Sequence, residues 1–407
     1  MTVHVVFVVP FFMTATLRFV SGAAALPGVR LSVISQEPAE KLPPALRTRL
    51  TGHWRIDDCF AAAQLVQATQ ALAARHGAVQ RMIASLEQLQ VPMAQARAQL
   101  GLPGLTLSAA MNFRDKNRMK DVLNQAALPC ARHALIGSAD DARAAAATLG
   151  FPLVAKPPAG AGAISTFRLN DAQQLSEYLC AYAPRAAEPV LFEEFLQGEE
   201  YSFDSVMLNG RVVWSSISSY RPSPLTVLEN PWIQWCVLLP RVIDTASFAP
   251  IRRDGERALG VLGMRDGMTH MEWFRRPQGA VAISEVAARP PGAQFTSLLS
   301  WASNCDFYQA WPRLMIFDEF DPPAREFAAG AAYLRGMGTG RVRAVRGSDT
   351  IRREFAELIV ESNWPEVGSL QNSGYEGAGY VIFRHPDTRR VEQALQRTVD
   401  VVRVELG

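Results

Sequence analysis

The fold is decided by two segments near the middle of the chain, Thr269-His270-Met271-Glu272-Trp273-Phe274 and Ile283-Ser284-Glu285-Val286-Ala287-Ala288-Arg289-Pro290-Pro291-Gly292. Their alternation of residue types predicts two antiparallel strands joined by a short connection. His270, Glu272 and Phe274 then share one face, and Glu285, thirteen positions after Glu272, can point to the same face. The apolar neighbours Met271, Trp273, Val281 and Ile283 indicate that both strands are buried.

Two carboxylates on one buried face repel each other unless a cation lies between them. Hard oxygen ligands favour Mg²⁺, with Mn²⁺ as the alternative ion, and Mg²⁺ typically bridges carboxylates to nucleotide phosphates. Arg289 follows Glu285 by four positions, and its planar guanidinium can bind a carboxylate or a phosphoryl group. The simpler alternative is a pair of surface strands with solvated glutamates, and the apolar neighbours argue against it.

Two lysines flank a loop of small residues earlier in the chain. Lys116 begins a predicted helix, and Lys156 ends a predicted strand directly before Gly160 and Gly162. Glycine frees backbone N–H groups to surround phosphate oxygens, and lysine adds a point charge. The order differs from the P-loop, in which the lysine follows the glycines. Taken alone, the pattern fits surface lysines and a hairpin turn better than a phosphate site.

A strand that ends in acidic residues forms the third candidate, residues 191–200. Backbone groups near Glu194 and Leu196 can pair with an adenine edge, and Glu200 can accept hydrogen bonds from ribose hydroxyls. Taken alone, a strand end with solvated carboxylates is the simpler interpretation.

The composition restricts the class of protein. The chain has 407 residues, which predicts two to four lobes, and its formal charge of +2 gives no argument for a nucleic-acid partner. The five scattered cysteines argue against a disulfide framework or a zinc site and favour the cytoplasm. The apolar run Val3–Val9, broken by Pro10, predicts a buried strand rather than a signal peptide or a membrane span.

Residues 1–110 alternate strand-like and helix-like segments, which predicts an open α/β sheet. Pro10-Phe11-Phe12 follows the first strand in place of a glycine fingerprint, which argues against a dehydrogenase. Asn209-Gly210 predicts a hairpin. Residues 219–243, rich in proline and containing Trp232, predict an irregular loop that either shapes a substrate pocket or packs its tryptophans on the fold.

In this order the motifs resemble those of the ATP-grasp superfamily of carboxylate–amine ligases, over about residues 100–310. They are most similar to the L-amino-acid ligases that form dipeptides, and next to the biotin-carboxylase-like branch. The resemblance implies an α/β fold with three parts. These are a Rossmann-like lobe (1–110), an ATP-grasp domain (111–325, with a lid at about 130–200 and a nucleotide and metal half at about 200–325) and a closing α/β lobe (326–407).

The resemblance also implies a role for each candidate residue. The phosphates of ATP would contact Lys116, Lys156, Gly160, Gly162 and Ser165; adenine would contact Glu193, Glu194, Phe195 and Leu196; ribose would contact Glu200; Mg²⁺ would bind Glu272 and Glu285; the reacting groups would face His270, Lys156 and Arg289; substrate would contact Arg289, Gly292 and Trp232. Many members have an asparagine where this chain has Ala287, which leaves the number of metal ions open.

The implied activity is ATP-dependent joining of a carboxylate, an amino acid by resemblance, to an amine through an acyl-phosphate. The partners are then small molecules, without nucleic acid or membrane, and a homodimer is common in the superfamily. Two alternatives stay open: a carboxylase-like enzyme that activates bicarbonate or formate, and a nucleotide-binding relative without catalysis.

Overall fold

The computed structural model of the chain describes residues 2–160, 165–230, 232–371 and 376–407. The helices in this part are α1 (Thr14–Ala25), α2 (Pro44–Arg47), α3 (Ala62–His76), α4 (Gln90–Leu100), α5 (Leu107–Arg114), α6 (Lys116–Gln125), α7 (Ala139–Leu149), α8 (Ala172–Ala181), α9 (Pro224–Glu229), α10 (Ala249–Leu262), α11 (Phe295–Ser303), α12 (Phe307–Phe317), α13 (Ser348–Glu354) and α14 (Thr388–Val401). Short 3₁₀ turns occupy Ala39–Lys41, Glu87–Leu89 and Ala246–Phe248.

Within the described residues the strands build four sheets. They are β1 (Val3–Val8), β2 (Val29–Ser35), β3 (Gly52–Arg55), β4 (Arg81–Ile83), β5 (His133–Ile136), β6 (Leu153–Lys156), β7 (Phe167–Leu169), β8 (Val190–Glu194), β9 (Glu199–Leu208), β10 (Arg211–Arg221), β11 (Trp235–Leu239), β12 (Gly267–Arg275), β13 (Val281–Ala287), β14 (Ala328–Leu334), β15 (Gly336–Met337), β16 (Val342–Arg346), β17 (Ile359–Asn363), β18 (Gly379–His385) and β19 (Arg403–Leu406).

The N-terminal lobe is an open parallel sheet in the order β3-β2-β1-β4. Its first strand is buried on both faces, as the apolar run predicts: α3 and α4 cover one face, and α1 with α12 covers the other. The structure adds β3, which the sequence analysis did not predict because His53, Trp54 and Arg55 show no apolar run.

A four-stranded antiparallel sheet in the order β5-β8-β6-β7 makes up the region predicted as the lid. α7 and α8 pack on it through a small apolar core. Both helices begin at a side-chain cap, because Ser138 accepts a hydrogen bond from the Asp141 N–H and Asp171 accepts one from Gln174. Lys156 ends β6, and Glu193 of β8 pairs with Val154 two positions before it, so this sheet presents Lys156 and Glu193 on one face.

An eight-stranded antiparallel sheet in the order β13-β12-β9-β10-β11-β14-β18-β17 forms the centre of the molecule. The predicted hairpin between β9 and β10 is confirmed: Asn209 and Gly210 have φ angles of 54° and 75°, the left-handed pair that a two-residue hairpin turn requires. A second hairpin joins β12 to β13 and sets Glu272 directly opposite Glu285.

Residues 219–243 are more regular than predicted. They contain the end of β10, the helix α9 and the strand β11, whose five residues are all buried. The described prolines of this region lie outside the strands. The apolar run Trp235–Leu239 is short and has prolines on both sides, so the sequence alone does not distinguish it from part of a loop. The expected loop therefore contributes a central strand of the large sheet.

The large sheet runs through the proposed limit between residues 325 and 326, because β14, β18 and β17 pair beside β11. α14 and α13 cover this end of the sheet. The proposed limit at residues 110 and 111 lies inside α5. None of the described helices has both the length and the apolar character to cross a membrane.

Candidate active site

A cavity of about 580 Å³ lies between the lid sheet, the large sheet and the N-terminal lobe. Most of the candidate residues line it: Lys116, Lys156, Gly160, Glu193, Glu194, Phe195, Leu196, Glu200, His270, Glu272, Glu285, Arg289 and Gly292. Gly162 lies outside the described residues. Ser165 is not part of the lining, although its neighbour Thr166 is.

Trp232 differs from its predicted place. Its side chain is 51% exposed and it is not among the residues described as lining the cavity, whereas Trp235 lines it from β11. The reason is the strand that the sequence analysis missed, since β11 carries Trp235 into the sheet and leaves Trp232 before it.

The carboxylates of Glu272 and Glu285 occupy one face of the hairpin. The two residues are cross-strand partners, and His270 and Phe274 line the cavity with Glu272, so the predicted alternation is confirmed. Lys116 Nζ lies 2.8 Å from Glu285 Oε1. Burial acts against ionisation of Glu285, but Lys116 and Lys156 outweigh it and hold its pKa below the ordinary value.

Lys116 also ties the small-residue loop to α6. Its Nζ donates to the carbonyl oxygen of Gly160 at 2.9 Å, and its backbone N–H donates to Pro158. Arg114 Nη1 donates to the same Gly160 oxygen at 2.9 Å. Two cations therefore converge on the start of the loop that was predicted to surround phosphates.

A second ionic group joins two lining residues, Glu193 and Lys156, to the buried Lys120. Glu193 forms ion pairs with Lys120, whose Nζ lies 3.3 Å from Oε1, and with Lys156, whose Nζ lies 3.0 Å from Oε2. Lys120 Nζ also donates to the Ser284 carbonyl oxygen at 2.8 Å. Burial opposes the charge on Glu193, but the two lysines outweigh it and lower its pKa. Burial also opposes the charge on Lys156, yet Glu193 and Glu285 outweigh it and raise its pKa. Sequence reasoning missed Lys120, which is completely buried.

The two remaining acidic candidates, Glu200 and Glu194, lie in different electrostatic surroundings. Burial, reinforced by the nearby charge of Glu272, raises the pKa of Glu200 well above its ordinary value. A neutral carboxyl both donates and accepts hydrogen bonds, which suits a diol such as ribose. Glu194 is bound by Arg132 at 3.1 Å and by Arg276 at 2.9 Å, so its side chain ties the lid sheet to the β12–β13 hairpin.

His270 is held as a cation inside the cavity. Its Nδ1 lies 2.6 Å from Asp204 Oδ1, and its Nε2 lies 3.7 Å from Glu272 Oε1. Burial lowers the pKa of a histidine, but Asp204 and Glu272 outweigh that effect and raise the pKa of His270 to about 9. The Tyr220 hydroxyl lies 3.4 Å from the same Nε2.

Arg289 is anchored by a residue of the N-terminal lobe. Glu87 Oε2 accepts Arg289 Nε at 3.2 Å and Nη2 at 3.1 Å, and Glu87 Oε1 lies 3.3 Å from Arg114. Glu87 lines the cavity and is buried. Sequence reasoning missed Glu87, and its one signal was an acidic residue four positions after the end of β4.

The donor set fits a divalent ion only together with other ligands. Among the described residues no group of three or more His, Cys, Asp or Glu side chains gathers around one point. Glu272 and Glu285 supply two carboxylates, and Ala287 supplies no donor. A hard cation here would need phosphate oxygens and water to complete its shell.

Known ligases match the chain in sequence. It is 28% identical over 224 residues to alanine–anticapsin ligase of Bacillus subtilis (strain 168), which covers 49% of this chain and 46% of that protein. It is 35% identical over 218 residues to D-alanine–D-alanine ligase of Stutzerimonas stutzeri (strain A1501), which covers 51% of this chain and 67% of that protein. The chain spans about half the length of the first curated relatives it matches. No family model matches it.

Solved structures share the fold over the whole chain. An L-amino acid ligase from Bacillus licheniformis superposes with a TM-score of 0.78 at 17% identity, covering 100% of this chain and 99% of the other. A carboxyaminoimidazole ribonucleotide synthase from Aspergillus clavatus, complexed with ATP, gives a TM-score of 0.72 at 15% identity and covers 98% of each chain.

The sequence relatives and the shared fold agree with the motifs that the cavity gathers. The chain belongs to the ATP-grasp superfamily of carboxylate–amine ligases.

Proposed function

We propose that the chain joins the carboxylate of an amino acid to an amine, through an acyl-phosphate, with release of ADP and phosphate. The observation that carries this proposal is the cross-strand pair Glu272 and Glu285. In the same cavity, Lys116 lies 2.8 Å from Glu285, and His270 lies 3.7 Å from Glu272. Acidic ligands, phosphate-binding cations and a carboxylate-binding cation are thus within reach of one another. The names of the sequence relatives, two kinds of amino-acid ligase, support the same activity.

The nucleotide end of the cavity is the end near the lid sheet. Phe195 and Leu196 offer apolar surface and backbone groups for adenine, and Glu200 offers its carboxyl to ribose. Lys116 and Lys156 face the phosphates, where their charges offset the negative charge that spreads over a transferring phosphoryl group. Glu272 and Glu285 would hold Mg²⁺, which when bound supplies further neutralisation of the phosphates.

The proposed reaction has two displacements. An oxygen of the substrate carboxylate attacks the γ-phosphorus, the bond from that phosphorus to its bridging oxygen breaks, and ADP leaves. The amine then attacks the acyl carbon, the bond to the phosphate oxygen breaks, and the nitrogen loses a proton as the amide forms. Both steps depend on position and charge rather than on a covalent group of the protein.

Two cations of the chain bind the reacting carboxyl group in this proposal. The His270 imidazolium and the Arg289 guanidinium hold its oxygens, first as carboxylate and then as acyl-phosphate. Asp204 pairs with His270 and Glu87 pairs with Arg289, and these ion pairs hold the two cations in position. Because fixed charges need no rearrangement during the reaction, such anchoring contributes directly to the rate.

The test is ADP release with Mg-ATP and each L-amino acid, alone and in pairs, with mass spectrometry of the product. Bicarbonate and formate are included, because release that depends on either of them alone would favour a carboxylase-like enzyme. Release that depends on amino acids, with a condensed product, supports the proposal. No release with any amino acid contradicts it.

A variant pair sharpens this test. Glu285→Gln keeps the shape of the side chain but removes its charge, so ADP release should fall by about 100-fold or more. Glu256→Gln, on the exposed side of α10, is the matched control and should keep the wild-type rate. An unchanged rate in Glu285→Gln would refute the role assigned to this carboxylate.

A further inference from the structure

One face of the large sheet changes from charged to aromatic across neighbouring strands. Glu285 pairs with Glu272, and His270 pairs with Asp204 on β9. On the next two strands, Tyr220 of β10 and Trp235 of β11 share that face, as the β10–β11 register and their common place in the cavity wall require. The cavity therefore has a charged half and an aromatic half on one continuous surface.

The aromatic half is rigid. The Tyr220 and Trp235 rings are nearly parallel, at 11° with centroids 6.3 Å apart, and Trp235 stacks on Tyr333 at 4.3 Å. Phe295, at the start of α11, lies 5.7 Å from Tyr220. Buried, stacked rings have little freedom to rotate, so this wall is preformed before any ligand arrives.

The wall begins beside the group that faces the reacting carboxyl. The Tyr220 hydroxyl is 3.4 Å from His270 Nε2, and the Phe295 ring is 5.3 Å from the His270 ring. A ligand held at His270 can therefore place a group of side-chain length against these rings. The rings line the same cavity as His270, so a substrate can reach both without a second entrance.

The polar groups at this end are already paired. Ser223 and Thr226 hydrogen-bond to each other at 3.0 Å, and Leu225 and Pro224 of α9 present apolar surface between them. In the charged half, Lys116 pairs with Glu285, Glu87 pairs with Arg289, and Glu200 and Glu272 are the lining carboxyls near Tyr220. A charged ligand group against Trp235, Phe295 and Leu225 would lose water without gaining an ionic partner.

We propose that one of the two substrates is an amino acid with a large apolar side chain, aliphatic or aromatic, that packs against Tyr220, Trp235, Phe295 and Leu225. The inference rests on the proposed ligation and specifies the substrate class of the same site. The side chain belongs either to the acyl donor or to the amine, since both meet at the carbon beside His270, and fragmentation of the product by mass spectrometry distinguishes the two.

The first measurement is kcat/KM for ADP release across amino acids that differ in side chain. Leucine, methionine and phenylalanine should exceed alanine by about tenfold or more, and should exceed aspartate and lysine by a larger factor. Preference for a charged or small polar side chain would overturn the inference while leaving the ligase proposal intact. No release with any amino acid would overturn both.

The second measurement uses α9, where Leu225 is half-buried in the cavity wall. Leu225→Glu should lower kcat/KM for leucine and phenylalanine at least tenfold, improve use of lysine, and leave the KM for ATP unchanged. Glu229→Gln, exposed on the same helix, is the control and should keep the wild-type profile. Leu225→Ala keeps an apolar residue in case the charged variant does not fold, and it should narrow the preference for leucine over alanine. An unchanged profile in a folded Leu225 variant would overturn the inference.

Discussion

Glu87 is the site residue that is hardest to identify from the sequence. It lies about two hundred positions before Arg289, in another lobe, and its two oxygens bind Arg114 and Arg289 separately. A pair so distant in sequence can be found only once the N-terminal lobe is placed against the large sheet. Glu87 thus acts through Arg289, as a positioning residue for the carboxylate-binding cation.

Glu87→Gln should lower kcat by about 10- to 100-fold, because the guanidinium of Arg289 loses the charge that orients it. The KM for ATP should change little, since Glu87 touches neither Lys116 nor Lys156 in the described contacts. Glu319→Gln, which breaks an exposed pair with Arg313, is the matched control and should change neither constant. If steady-state kinetics gave Glu87→Gln the same kcat as Glu319→Gln, Glu87 would have no positioning role.

His270 makes stability depend on pH. Its pKa rises from 6.5 to about 9 in the folded chain, because Asp204 and Glu272 outweigh burial. The folded protein keeps a proton that the unfolded chain has lost, so this contribution is complete below about pH 6.5 and disappears as pH rises through about 9. The free energy of unfolding should fall by on the order of 3 kcal/mol across that window.

Asp204→Asn supplies the comparison for this prediction, since it removes the largest attraction that raises the pKa of His270. Urea unfolding at several pH values should give a clearly flatter slope for the variant than for the wild type. Two parallel slopes would mean that His270 does not hold its proton in the folded protein.

At the residue scale, the sequence predicts best where functional side chains are close together along the chain. Glu272 and Glu285 share one hairpin, and the two-residue period predicts their common face correctly, while Arg289 follows two residues after the end of β13. The anchors behind them, Asp204 and Glu87, come from other elements. No local pattern distinguishes these residues from solvated carboxylates.

At the scale of elements, alternation and turn residues predict the β9–β10 and β12–β13 hairpins well. They fail at β11, where five apolar residues between prolines form a strand that is buried on both faces. Such a run has no alternation, and its length alone does not separate a strand from a packed loop. The consequence is functional, because β11 supplies Trp235 to the aromatic wall, beside Tyr220 at the end of β10.

Gly198 controls how the start of β9 meets the end of β12. Its φ is +145°, and an added Cβ would overlap the carbonyl oxygen of Arg275. Gly198→Ala should therefore lower the free energy of unfolding by about 2 kcal/mol or more and should raise the KM for ATP, since Glu200 follows two residues later.

Gly260→Ala is the matched control for this glycine. Gly260 lies exposed inside α10, and an added Cβ there has no neighbour within 4 Å. Alanine should stabilise the helix by about 0.5–1 kcal/mol. Thermal unfolding of both variants tests this prediction. If both substitutions lowered the free energy of unfolding by similar amounts, the contact with Arg275 would not be what constrains Gly198.

At the scale of the whole molecule, the cavity exists because three parts meet. The lid sheet supplies Lys156 and Glu193, the large sheet supplies Glu272 and Glu285, and the N-terminal lobe supplies Glu87. The sequence predicts the open α/β sheet of the N-terminal lobe from its alternation, whereas the lid is expected only from the family resemblance. The sequence does not predict that one sheet continues from the site into the C-terminal lobe, because pairing between β11 and β14 joins strands about ninety positions apart.

The most direct test of the account follows oxygen atoms through the reaction. An amino acid substrate labelled with ¹⁸O in its carboxylate is incubated with Mg-ATP and the amine, and the inorganic phosphate is analysed by mass spectrometry. Each turnover should transfer one ¹⁸O atom to phosphate, because the carboxylate oxygen attacks the γ-phosphorus and leaves with it. Phosphate that forms together with the condensed product but carries no ¹⁸O would contradict the acyl-phosphate and with it the central claim.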